Sequence, residues 1–449
     1  MKNTKRLLAL GLVAVMSMSM LAGCGDSKKT QGKDEEGSVY YLNFKPESAE
    51  IWEEIAKKYT EETGVEVKVE TAAAGTYEQT LKSEVAKREA PTLFQINGPI
   101  GYQSWKDYCA DLKDTDIYSW LLDQDMAIKD GDGVYGIPFA EEGYGIIYND
   151  EIMQKYFALA DKAVDIASTE EIKDFDTLKA VVEDMTANKE ELGIEGVFSS
   201  TSLKSGEDWR WQTHLANVPL AAEYTDKDET NPAEIDFTYS DNFKALFDLY
   251  LNNSCTEPAM LSGKSVDDSM AEFALGKTAM VQNGNWGWGQ ISGVDGNVVK
   301  AENVKFLPLY MGLEGEETQG LCIGTENYMC VNAKVSEADQ KATIEFMEWL
   351  FNSDEGKDYV TNKLGFIAPF NTFSDEEKPT DPLAQQVLAY MADESLTSVP
   401  WNFTTMPSQE WKNNFGAALL EYAQGTKDWA DVVSGMVEEW KTEKANAAE

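Results

Sequence analysis

Histidine is nearly absent: one residue, His214, serves a chain of 449, alongside only five cysteines, none in a Cys-x-x-Cys pair. The usual Cys/His zinc site therefore has no ligands to draw on. A lone imidazole without a Gly-x-Ser-x-Gly elbow also leaves little room for a serine triad. Gly263-Lys264-Ser265 and Gly276-Lys277-Thr278 look like the ends of phosphate loops, but Pro258 and Ala271 stand where such a loop needs its first glycine. A glycosidase needs two convergent carboxylates about 5 to 9.5 Å apart, whereas Glu141-Glu142 and Glu207-Asp208 are sequence neighbours. No catalytic residue, metal or cofactor is assigned. Basic residues are scarce too, 38 against 79 acidic ones, for a formal charge of −41. That surface repels nucleic acid and favours neutral or cationic ligands.

What is present begins at the N-terminus. Lys2, Lys5 and Arg6 precede an apolar run from Leu7 to Met20 that is too short for a stable span, and Leu21-Ala22-Gly23-Cys24 follows. This order reads as a lipoprotein signal over residues 1–23, with cleavage ahead of Cys24 and a diacylglycerol anchor on its thiol. The expected location is the outer face of a cytoplasmic membrane, held there by the lipid, because no later segment has the roughly 18 apolar residues of a span. Removing 1–23 leaves 35 basic against 79 acidic residues, a charge of −44. Residues 24–37 form a flexible linker. Cys109, Cys255, Cys322 and Cys330 admit three pairings, and buried free thiols are expected over a disulfide. The remaining chain of about 425 residues is long enough for two domains.

From Val39 the pattern is β-α-β-α-β. A strand Val39–Phe44 precedes a helix with Ile51, Ile55 and Tyr59 on one face, stopped by Gly64; then come a strand Val65–Thr71, a helix from Tyr77 to Arg88, and a strand Thr92–Ile96 closed by the turn Asn97-Gly98-Pro99. Such alternation predicts a parallel sheet covered by helices, with ligand beyond the carboxyl ends of the strands.

Four stretches then follow one another in a recognisable order: Lys57-Lys58-Tyr59-Thr60-Glu61-Glu62-Thr63-Gly64-Val65, Gly136–Asn149, Gly276–Trp288, and Glu345–Leu350 with Ser353-Asp354-Glu355-Gly356. In them the chain resembles the maltose-binding-protein-like family, the extracytoplasmic solute-binding lipoproteins of carbohydrate importers of the ATP-binding cassette type. The resemblance implies an α/β fold of two discontinuous lobes around a ligand cleft (periplasmic-binding-protein-like, type II). It places lobe one at 38–145 plus 310–364 and lobe two at 148–308 plus 366–449, with crossings near Tyr144–Asn149, Leu307–Tyr310 and Leu364–Pro369.

A neutral sugar offers hydroxyls for polar groups and apolar ring faces for flat aromatics. Asn283-Gly284-Asn285-Trp286-Gly287-Trp288 matches the family's Asn-Gly-x-Trp motif, so the resemblance gives Trp286 a stacking role and leaves Trp288 structural. It also matches Trp209 in Gly206-Glu207-Asp208-Trp209-Arg210-Trp211, and Trp411 within one residue; Trp401, after Pro400 on a loop, is a further candidate. Glu207 and Arg210 fit either hydroxyl contacts or a surface ion pair. Glu142 matches a family carboxylate at the first crossing, with Glu141 pointing to the other face of an extended segment. Lys45, Glu47, Glu78 and Asn97 stand at strand ends or helix starts, facing either ligand or plain solvent. Asn97-Gly98-Pro99 replaces the acid-and-basic pair of the maltose-binding member, so maltose itself is not implied. The expected activity is binding of an oligosaccharide, with a lean to α-gluco-oligosaccharides, by a monomer that delivers it to membrane permease subunits. A sugar sensor facing a membrane receptor would carry the same fold, and a glycoside hydrolase is the remaining alternative.

Overall fold

A computed structural model describes residues 37–73 and 75–448; Cys24, the signal assigned to 1–23 and all of the linker assigned to 24–37 but its last residue lie outside them. The strands are β1 (Val39–Asn43), β2 (Val67–Thr71), β3 (Leu93–Asn97), β4 (Ile128–Asp130), β5 (Gly133–Pro138), β6 (Glu142–Asn149), β7 (Gly196–Phe198), β8 (Thr278–Gly284), β9 (Val304–Leu307), β10 (Gln319–Gly324), β11 (Asn327–Val331) and β12 (Thr397–Pro400). They form two six-stranded sheets. One runs β2-β1-β3-β11-β5-β4, the other β12-β10-β6-β8-β7 with β9 also on β6. β1 pairs parallel with β2 and β3, as the opening alternation predicts, but β11 and β5 join antiparallel, so the first sheet is mixed.

Helices cover both faces of each sheet, and strand alternation divides the side chains between them. Leu93 enters one core of the first lobe with Trp52, Ile55 and Phe346, while Phe94 and Ile96 enter the other with Tyr102 and Trp105. In β6, Tyr144, Ile146 and Tyr148 face one core and Ile147 the other. Each large side chain so buried contributes ~1.5–3 kcal/mol. The first helix runs Ala49–Thr63 and ends on Gly64 in the left-handed conformation (φ 79°), the stop the sequence signals. Asn97-Gly98-Pro99, expected as a turn, is instead the start of a helix, Gly98–Trp105, with proline in its first turn, where a missing N–H costs nothing.

The crossings fall elsewhere than the resemblance implies. Glu142 already pairs with Gly324 in the second sheet, so the first passage is Phe139–Glu141, not 144–149. β10 belongs to the second sheet and β11 to the first, so the return is at Thr325–Glu326 rather than near 307–310. At the third passage Ile367 bridges Glu141. Yet Phe370 packs on Phe351 at 4.6 Å in the first core, and Asn371 N–H donates to Trp120 O at 2.8 Å. Phe366 and Phe370 thus pack in the first lobe's core and Ile367 in the second's, and the chain stays in the second lobe only from Leu383, not from 366. Cys109, Cys322 and Cys330 are buried and Cys255 half-buried, all four as free thiols. Among the described residues no helix is long and apolar enough to cross a membrane.

Candidate functional site

Between the lobes, at the carboxyl end of β1 and the start of β6, a buried ion pair meets a group of aromatic rings. Lys45 Nζ lies 2.7 Å from Glu142 Oε1 and 3.8 Å from Glu47, with Lys45 and Glu142 exposed by only 6% and 4%. Burial works against the ammonium, but the carboxylates of Glu142, Glu47 and Glu326 together outweigh it and hold Lys45 above its ordinary range. The same ammonium sits 5.6 Å from the centre of the Trp286 ring, inside cation–π range.

Backbone pairing sets the position of Trp286. Gly143 N–H donates to Asn285 Oδ1 and Asn285 N–H to Gly143 O, both at 2.9 Å, which fastens the end of β8 beside Glu142. The ring then lies over Gly284, where a Cβ would meet it at 2.2 Å; Trp401 likewise rests on Gly324, with its Cγ 2.7 Å from a would-be Cβ. These glycines serve as ring seats.

Around Trp286 stand Trp209 at 6.0 Å, His214 at 5.6 Å and Trp401 at 6.5 Å between ring centres. His214 stacks on Tyr144 at 4.3 Å. Burial, then the nearby charges of Arg210, Lys412 and Lys45, hold its imidazole well below the ordinary range, so the ring is neutral. His214 lies in a π-helical stretch, Arg210–Leu215, just before a helix containing Pro219. Proline cannot donate to the Leu215 carbonyl and its ring pushes that carbonyl away, which accounts for the wide turn.

Lys412, on the helix Gln409–Ala423, faces Glu326 and Glu78 through space. Burial depresses Lys412 and raises both Glu326 and Glu78. Glu78 also accepts from Trp105 Nε1 at 3.0 Å. Glu141 is raised by burial, and its backbone N–H donates to Ile367 O. The lobes touch at two further points: a Cβ on Gly75 would meet Gly206 O at 3.0 Å, and one on Gly98 would meet Thr404 Cβ at 2.8 Å.

Of the residues the sequence singles out, Trp209, Trp286, Trp401, Lys45, Glu47 and Glu142 come together; Glu78 adjoins them through Lys412. Asn97 ends β3 opposite Asn327 and precedes Gly98, whose N–H donates to Glu326 O. Three placements are corrected. Trp411 is fully buried, packed on Phe415 and Trp440, and its Nε1 donates to Met436 O at 2.9 Å, so neither face is free for a ligand. Arg210 is 1% exposed and turns into the second lobe, with Nη2 donating to Asn283 Oδ1 at 3.0 Å. Glu207 accepts from Lys204 Nζ and from Val266 N–H, pinning a loop. Trp288 packs against the core, as expected. His214, Glu326 and Lys412 escaped sequence reasoning. The solitary histidine five residues after Trp209 was a signal; Glu326 and Lys412 carry none, since only the fold brings them in.

Comparison with known proteins gives a consistent result. The sequence pattern of a family described as bacterial extracellular solute-binding protein matches residues 54–386. A multiple sugar-binding protein of Streptococcus mutans serotype c is 23% identical over 408 residues, covering 86% of this chain and 87% of that protein. Among solved structures, a chitin oligosaccharide binding protein superposes with a TM-score of 0.70 at 19% identity, over 91% of this chain and 98% of its own. The solute-binding protein RafE in complex with raffinose gives 0.68 at 17% identity, over 91% and 99%.

Proposed function

Because the chain belongs to the bacterial extracellular solute-binding protein family, we propose that it captures a neutral oligosaccharide between its two lobes and delivers it to the permease subunits of an ATP-binding cassette importer. The observation that carries this reading is the convergence of Trp209, Trp286 and Trp401 beside the Lys45–Glu142 pair. Flat rings suit the apolar faces of sugars, and the ammonium and carboxylates suit their hydroxyls. Each hydrogen bond to a charged group contributes ~1.5–3 kcal/mol. Trp209 and Trp401 flank Trp286 at 6.0 and 6.5 Å between ring centres, an array that favours more than one ring subsite, hence an oligosaccharide, with α-gluco-oligosaccharides preferred. The similar proteins named for multiple sugars, chitin oligosaccharide and raffinose support a sugar ligand of more than one ring. No step of this reading requires catalysis. The protein works as a monomer tethered by lipid at Cys24 on the outer face of the membrane.

Calorimetric titration of the wild type with a panel of α-gluco-, galacto- and chitin-type oligosaccharides tests it. One-to-one binding of a member of that panel is expected. A panel that fails throughout, with binding instead of amino acids, peptides or oligoanions, would overturn it.

A further inference from the structure

Behind the aromatic wall, inside the second lobe, Ser200, Ser202, Arg210, Trp211, Tyr250 and Gln282 line a small cavity that leaves about 10 Å³ for the centre of a single small particle. Each of these side chains is exposed by 3% or less. Each also carries a buried polar atom to which the protein offers no hydrogen-bond partner: the three hydroxyls, Trp211 Nε1, Gln282 Oε1, and both Nε and Nη1 of Arg210. Arg210 forms no ion pair among the described residues. The one hydrogen bond of its side chain goes to Asn283, and the neighbouring acid Glu207 is engaged by Lys204 and Val266.

The donor balance decides what suits this chamber. The Arg210 and Trp211 nitrogens can only donate and the three hydroxyls can donate, while Gln282 Oε1 is the single group that can only accept. The Gln282 amide nitrogen is already spent on Arg210 O at 2.8 Å. A water would satisfy two donors and leave a buried cation that only the through-space charges of Glu47, Glu207 and Asp267 offset, against a burial that outweighs them in a low-dielectric interior. A monatomic anion accepts from every donor at once and cancels the charge; an oxyanion such as phosphate does not fit the volume. We propose that this chamber is a binding site for a small monovalent anion of the halide class, held by Arg210 Nε and Nη1, Trp211 Nε1 and the surrounding hydroxyls.

Burial depresses the Arg210 guanidinium to about 9, consistent with a cation in need of a counter-charge. The site also touches the sugar wall, a consequence that rests on the reading above: the guanidinium lies 3.9 Å from the centre of the Trp209 ring and holds Asn283 of β8, which leads to Trp286. Bound halide would therefore stiffen the elements that carry two of the stacking rings.

The test needs no sugar, so its failure is distinct from failure of the binding function. Crystals of the wild-type protein soaked in bromide should show an anomalous peak within hydrogen-bonding distance of Arg210 and Trp211. The melting temperature should rise saturably with chloride, and not with methanesulfonate, an anion too large for the chamber, at equal ionic strength. Arg210→Met should abolish the chloride response. Should that variant not fold, the double substitution Ser202→Ala with Tyr250→Phe keeps the charge and should raise the half-saturating chloride concentration by about tenfold. A bromide-soaked crystal with no anomalous signal in the chamber, or identical melting in the two salts, would overturn the proposal.

Discussion

Trp286→Ala removes the ring that Lys45 and three aromatics surround, while the Lys45–Glu142 pair keeps its geometry. The expected loss is on the order of 2–4 kcal/mol of sugar binding, about thirtyfold to thousandfold, the scale of a binding hot spot. Trp411→Ala should do the opposite, costing ~3–5 kcal/mol of stability for the buried ring and leaving the affinity of the folded fraction unchanged; calorimetry and denaturant unfolding on both variants separate the two roles. Both rings looked alike in sequence except for one signal. Trp411, Phe415 and Leu419 recur at helical spacing and form a core stripe, whereas Trp286 stands among glycines. Arg210 and Glu207 were not legible, because only the folded chain shows which of two neighbouring charges turns inward. A third residue gives a pH signature. Burial raises Asp208 to about 6, against hydrogen bonds from its own N–H, Gly206 and Gln212. The folded state thus retains a proton that the unfolded chain has released between pH ~4 and ~6, and the stability this group adds is lost as pH rises through that window. Relative to wild type, Asp208→Asn should gain on the order of 2–3 kcal/mol between pH 4 and 6 and hold that gain above it; urea unfolding at several pH values checks this, and parallel profiles would contradict it.

Local elements follow closely from sequence period and punctuation. The strands β1, β2 and β3 and the first helix lie within two residues of where alternation, the Ile51/Ile55/Tyr59 face and Gly64 put them. Elements with weak local codes were misplaced: the Asn97-Gly98-Pro99 turn starts a helix, and β10, joined to β6 by pairing across the chain, moves the second passage. Two loop and cap glycines make a matched pair. Gly64 (φ 79°) has nothing within 4 Å of a would-be Cβ, whereas a Cβ on Gly75 (φ 70°) meets the Gly206 backbone of the other lobe. Gly64→Ala should cost ~1 kcal/mol of stability alone. Gly75→Ala should in addition oppose the closed arrangement and weaken sugar binding by about tenfold, the effect of ~1.4 kcal/mol. Equal affinities for the two variants would remove the lobe contact from the binding mechanism.

At the scale of the whole molecule, the two-lobe architecture was legible from the order of motifs, but the passages were not, since strand exchange between sheets leaves no local mark. Glu141 and Ile367 bring the first and third passages side by side, a narrow junction suited to hinge motion. Cys24→Ala should release the protein from the membrane fraction without changing sugar affinity, because the proposed lipid site precedes Lys45, the first residue of the proposed cleft, by 21 residues; retention of the variant in membranes would refute the lipid tether. Closure of the lobes on sugar is measured most directly by small-angle X-ray scattering across a titration with the oligosaccharide that binds in calorimetry. The radius of gyration should fall along the same isotherm as the heat, because a ligand held on both sides shifts the population toward the closed form; a scattering curve unchanged at saturating sugar would contradict a cleft that closes on its ligand.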